Sequence, residues 1–223
     1  VSEDRTREKF RFPVQWVNRP NLDFRGFSGT VASGTIAVGD EVLIAASRKP
    51  AVVSRIVTMD GDLDHAIAGQ AVTLVLDREV DISRGDVLSR PGETLDYSNQ
   101  FQARVVWMNE EPAYPGRSYL LKIGTQTVPA TITDLKFRTN VNTLEQTAAT
   151  KIDLNEVATV TLNTDKPIAF DPYASNGLTG GFILVDRISN ATLGAGTIDF
   201  GLRRAQNLTY QSFDVNREVR AQM

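Results

Sequence analysis

Short runs of β-branched and apolar residues, each cut off after about four to eight positions by Gly, Pro, Asn or Asp, recur along this chain and constrain its fold. Val52–Val57, Ala71–Leu76, Val128–Leu135, Glu156–Leu162 and Phe182–Val185 are such runs, partly alternating between apolar and polar positions. A helix period of 3.6 is not sustained anywhere before about residue 205. The expected fold class is therefore all-β. So many antiparallel strands must hide their unpaired edges, and closure into a barrel does this.

A chain of 223 residues is long for one small barrel and suits two. The Pro/Gly stretch Ser89-Arg90-Pro91-Gly92-Glu93-Thr94 follows a complete set of strand signals and marks the division. Phe10, Val14, Trp16 and Asn18 are echoed 91 positions later by Phe101, Val105, Trp107 and Asn109. The expectation is two consecutive barrels, over 8–92 and 98–198, each opening with a strand that buries a tryptophan. The remaining 199–223 reads as a linker or tail, short and helical or disordered. Within it, Asp214 suits an N-cap, and Val215 and Val219 lie at i,i+4.

Composition removes several chemistries. The chain has no cysteine, so disulfides, thiolate zinc sites and thiol nucleophiles are excluded. One histidine allows no multi-histidine metal site. A formal charge of -3 argues against a nucleic-acid partner. No apolar run approaches the roughly 18–20 residues of a membrane span, and Val1 to Lys9 is charged rather than leader-like. A soluble, cytoplasmic protein with no membrane partner is expected.

The individual motifs are weak. Asp60-Gly61-Asp62-Leu63-Asp64-His65 lacks the sixth-position Gly and twelfth-position Glu of a calcium loop and reads as a solvated connection. Glu110 and Glu111 are neighbours, so on a strand they point to opposite faces and do not flank one bond as an acid/base pair. Gly194-Ala195-Gly196 is a fragment of a dinucleotide fingerprint with no helix after it, and Gly180-Gly181 suits close backbone approach or a bulge. No Gly-Lys pair exists, so the sequence contains no P-loop. No catalytic, cofactor-binding or metal-binding residue is assigned. The exception to this blandness is the polar stretch Asn18–Phe27. Its Arg19, Phe24, Arg25 and Phe27 form the candidate contact with a partner or another domain, since arginines beside exposed aromatics suit protein interfaces.

Longer strings carry a family resemblance. Phe27–Leu43, Ala68-Gly69-Gln70-Ala71-Val72 and Ser83-Arg84-Gly85-Asp86-Val87-Leu88 resemble the second domain of translation-factor-type GTPases. Arg11–Gly26, Arg55–Asp62 and Asp81–Asp86 resemble the large, GTPase subunit of bacterial sulfate adenylyltransferase. In the second half, Val106-Trp107-Met108, Thr179–Asn190 and Gly194-Ala195-Gly196 do likewise. Gln206–Arg217 is similar to the lead-in to adenylylsulfate kinase in fused, bifunctional versions.

The resemblance implies two elongation-factor-like barrels, equivalent to the second and third domains of that subunit. It implies a parent enzyme that forms adenosine 5'-phosphosulfate and pyrophosphate from ATP and sulfate, driven by GTP hydrolysis. GTP and Mg2+ would belong to a GTPase domain outside this sequence, and ATP to the small catalytic subunit. The barrels would couple these two partners and be inactive alone. An ion pair between Asp186 and Arg187 is expected to be structural. Two other readings stand beside this one: the barrels of an elongation factor holding aminoacyl-tRNA, or a free-standing binding module.

Overall fold

The computed structural model describes residues 4–21, 24–139, 143 and 145–203. A 3-10 turn, Arg5–Arg7, precedes the first group of strands: β1 (Phe12–Asn18), β2 (Gly26–Thr30), β3 (Thr35–Ala37), β4 (Glu41–Ile44) and β5 (Pro50–Thr58). β6 (Gly61–Leu63), β7 (His65–Ile67), β8 (Ala71–Leu76) and β9 (Val87–Ser89) complete it. The second group is β10 (Asp96–Trp107), β11 (Ser118–Ile123), β12 (Gln126–Thr139), β13 (Gln146–Thr147) and β14 (Val157–Phe170). A single turn of helix, α1 (Gly177–Gly180), then leads into β15 (Gly181–Val185) and β16 (Thr192–Arg203).

Each group closes on itself. The first sheet runs β4-β9-β1-β2-β8-β5, and β4 also pairs β5, which makes a six-strand barrel with β6 appended and β3–β7 as a separate ribbon. The second runs β11-β15-β16-β10-β14-β12, and β11 also pairs β12, closing a second six-strand ring with β13 appended. The fold is two consecutive all-β barrels. Closure removes the edges that open antiparallel sheets would expose. The stretch 199–203, expected as linker, continues β16. The helical reading of Asp214 onward and the segment Gln206–Arg217 lie outside the described residues.

Alternation within each strand fills the interiors. The first core gathers Phe10, Phe12, Val14 and Phe27 with aliphatic residues of β3, β4, β5, β7 and β8. The second gathers Phe101, Trp107, Tyr119, Phe170 and Phe182 with aliphatic residues from all six of its ring strands. Long strands must bend to close so small a ring, and bulges provide the bend. They occur on β14 between Asn163 and Ile168, opposite Gln100 and Ser98, and on β12 between Ile132 and Asp134.

One bulge overturns an expectation. Trp107 is buried at 1% exposure, but Trp16 is 65% exposed. Val14 pairs with Gly29 while Trp16 pairs with Ser28, so one extra residue, Gln15, lies between them. Side chains alternate with a period of two, and one inserted residue flips everything after it. Val17, not Trp16, then packs against the first core.

Candidate interaction surface and inter-barrel joint

Of the stretch Asn18–Phe27, Asn18 ends β1, and Gly26 and Phe27 open β2. The Phe24 amide donates to Asn21 Oδ1 at 2.9 Å, a local turn. The Phe24 ring lies over Gly26, where an added Cβ would sit 2.9 Å from it, so glycine there permits the approach. The Arg25 guanidinium stacks over the Phe27 ring at 5.6 Å. Arg19 reaches Glu79 at 3.4 Å across solvent, a pair that contributes little to stability. Phe27 itself is buried in the first core. Of the four sequence-selected residues, Arg19 is exposed, Phe24 and Arg25 are half-buried, and the buried Phe27 supports Arg25 from beneath.

Trp16 extends this surface, and strand parity in the sequence hid it. It faces outward in a cross-strand row with Ser28, Thr73 and Val57. Ser28 Oγ and Thr73 Oγ1 are 2.8 Å apart within that row. Arg84 donates to the carbonyl of Gln15 at 2.7 Å, beside the bulge.

A buried polar cluster joins the barrels. Arg11, 1% exposed, donates through Nε and Nη2 to the two carboxylate oxygens of Asp171 at 2.7 and 2.8 Å. Its Nη1 donates to the carbonyls of Phe10 and Glu93 at 2.8 and 2.7 Å. Thr179 Oγ1 donates to Asp171 Oδ2 at 2.7 Å, and Asn176 donates to Ser33 Oγ at 2.9 Å. A buried charge pair persists only when its remaining donors and acceptors are satisfied, and these bonds do that. Around it, Thr125 donates to the Val14 carbonyl at 3.0 Å, and Ala45, Val87, Leu95 and Ala169 form a small apolar cluster. Arg11 and Asp171 each stand against phenylalanine in an apolar run, the one available hint of burial in the sequence.

The remaining motifs make local contacts. Asp62 bonds Arg55 through both oxygens at 2.7 and 3.1 Å, which holds its carboxyl below the ordinary range. Among the described residues no group of three or more His, Cys, Asp or Glu is placed to hold a metal. Glu111 pairs with Arg117 at 2.6 Å, and its carbonyl accepts from Trp107 Nε1 at 2.8 Å. A Cβ on Gly180 would lie 2.6 Å from the Asp171 carbonyl, and one on Gly196 would run into the Phe182 ring, so both glycines serve close packing. The expected Asp186–Arg187 ion pair is replaced by a turn. Asp186 Oδ1 accepts from the amides of Ile188 and Ser189 at 3.0 and 2.7 Å, while Arg187 reaches Ser118 Oγ at 3.4 Å.

Two family models match in chain order: elongation factor Tu domain 2 over residues 27–89 and the GTP-eEF1A C-terminal domain-like family over residues 100–199. Among curated proteins, the bifunctional enzyme NodQ of Rhizobium sp. (strain N33) is 56% identical over 214 residues. Sulfate adenylyltransferase subunit 1 of Aliarcobacter butzleri (strain RM4018) is 48% identical over 198 residues. The chain's homologues are NodQ and sulfate adenylyltransferase subunit 1. These alignments take in 96% and 89% of this chain but only 33% and 42% of those relatives, so it spans well under half their length. A crystal structure of Sup35 complexed with GDP shares the fold with a TM-score of 0.80 at 18% identity, covering 89% of this chain and 49% of that one. No helix among the described residues is long and apolar enough to cross a membrane.

Proposed function

We propose that this chain is the non-catalytic, two-barrel part of a GTP-hydrolysing sulfate adenylyltransferase subunit. In this reading it couples a GTPase domain to the small catalytic subunit that forms adenosine 5'-phosphosulfate and pyrophosphate from ATP and sulfate. GTP with Mg2+ belongs to the GTPase domain and ATP to the small subunit, and no residue of this chain is given a role toward either. The chain alone has no adenylyltransferase activity.

The observation that carries the mechanical part is the joint. A bidentate, buried Arg11–Asp171 pair with satisfied neighbours resists hinge motion between the barrels. A displacement imposed on one barrel is then delivered to the other, and such transmission needs differential contacts in two states. The surface of Arg19, Phe24 and Arg25, widened by Trp16, is the proposed contact with the GTPase domain.

The test uses the full-length subunit reconstituted with its small subunit. Arg25→Ala is expected to raise the GTP hydrolysed per adenosine 5'-phosphosulfate formed while leaving the circular dichroism spectrum unchanged. An unaltered ratio overturns the contact assignment. Failure of the reconstituted subunits to couple GTP hydrolysis to product formation at all overturns the function.

A further inference from the structure

A groove of about 740 Å³ runs across the outside of the second barrel. Its floor follows from strand pairing. Val157 pairs with Val106, Val106 with Ala195, Ala195 with Ile183, and Ile183 with Lys122, which gives one outward row across five strands. Four members of the row are apolar and the last is a lysine. Arg104, Thr197 and Gly181 form the next row, and Leu178 of α1 stands over it. Gly181 and Ala195 are small, so the middle of the floor is low.

Val106 and Leu178 are exposed at 41% and 53%, so the groove presents apolar surface to solvent. No carboxylate lines the groove, though the chain as a whole carries a charge of -3. Arg104 shares its charge with Asp199 at 3.1 Å. Lys122 makes no ion pair among the described residues.

We propose that this groove docks an extended, acidic peptide segment of a partner protein. An apolar side chain of that segment sits between Val106 and Ile183, and a carboxylate meets Lys122. Five strands at about 4.8 Å spacing make the row about 19 Å long, the span of about six extended residues. The charge pattern fits a carboxylate-bearing peptide. A nucleic-acid track needs several cations following a backbone, and here one of two is already neutralised. This inference stands independently of the coupling role proposed above.

The test titrates the 15N-labelled chain with acetylated Asp-Glu-Leu-Ile-Glu-Asp and with Lys-Lys-Leu-Ile-Lys-Lys. The expected result is saturable shift changes at Val106, Lys122, Ile183 and Thr197 with the acidic peptide only. Lys122→Glu and Val106→Asp, both at exposed positions, should each weaken that binding about tenfold, or about 1.4 kcal/mol. Equal binding of both peptides, or no shift at millimolar peptide, overturns the proposal. So does concentration-dependent self-association that protects the same residues, which would make the occupant a second copy. Shifts that appear on deleting residues 204–223, without any peptide effect, would assign the groove to the chain's own segment and also overturn it.

Discussion

Trp16 and Trp107 hold equivalent places in the opening strands of their barrels, yet Trp16 is exposed and Trp107 is in the core. In the second barrel, β10 keeps its alternation from Phe101 through Ala103 and Val105 to Trp107, and the indole meets Tyr119 edge-on at 5.5 Å. In the first, a single bulge at Gln15 turns the indole outward and gives its inner place to Val17. The same residue type thus serves packing in one barrel and surface in the other. What differs is one backbone insertion.

The sharpest way to break this comparison is to truncate both indoles. Trp107→Ala is expected to cost about 3–5 kcal/mol in urea denaturation, as large aromatic deletions in cores do. Trp16→Ala should stay within about 0.5 kcal/mol. Similar costs at the two positions would mean that Trp16 packs in solution and that the bulge is not as described.

The joint provides the next test, because it decides whether the barrels behave as one body. Asp171→Ala leaves the Arg11 guanidinium buried without its counter-ion and should cost about 3–5 kcal/mol. Pairing Arg11→Met with Asp171→Leu should recover most of that loss, since two apolar groups leave no stranded charge. Calorimetry should show one transition in the parent chain and two in Asp171→Ala. A loss below about 1 kcal/mol would place the pair in the class of solvated ion pairs.

The smallest effect contrasts one loop aspartate from each barrel. Asp86 accepts from the Ser83 amide at 2.8 Å, but burial, with Asp81 adding, holds its carboxyl above the ordinary value. The folded chain therefore binds that proton more tightly than the unfolded chain, and this group's contribution to stability grows as pH falls through its folded pKa. Asp186 is exposed, and bonds from the Ser189 and Ile188 amides hold its carboxyl low. Its contribution is present above the unfolded pKa and is lost as pH falls through the folded one. Asp86→Asn, which keeps an oxygen for Ser83, should raise Tm at pH 7 by a fraction of the roughly 2–4 °C that 1 kcal/mol represents at this size. Asp186→Ala should lower Tm at pH 7 and have no effect at a pH below its folded pKa. Melts of both variants from acid to neutral pH would sharpen the comparison if the slopes are opposite and refute it if they agree.

Local pattern was enough for the strand content. Ala71–Leu76 and Phe182–Val185 lie in strands because β-branched residues bounded by turn residues have few alternatives. Phe27 was chosen from the sequence together with Arg19, Phe24 and Arg25, but it lies in β2, between β1 and β8, and its ring is buried in the first core. The Asp186–Arg187 expectation paired sequence neighbours, whereas the backbone amides of Ile188 and Ser189 donate to the Asp186 carboxylate instead.

The amino-acid sequence by itself determined an all-β chain of two closed barrels, since a period-two apolar pattern must bury one face and hide its edges. Tertiary structure alone decided which way Trp16 faces, because one bulge reverses parity without leaving a mark on composition. It alone decided that Arg11 finds Asp171, 160 positions away, and that five strands line Val157, Val106, Ala195, Ile183 and Lys122 into one groove. Contacts of that separation have no local signal; they exist only once closure sets the register of every strand.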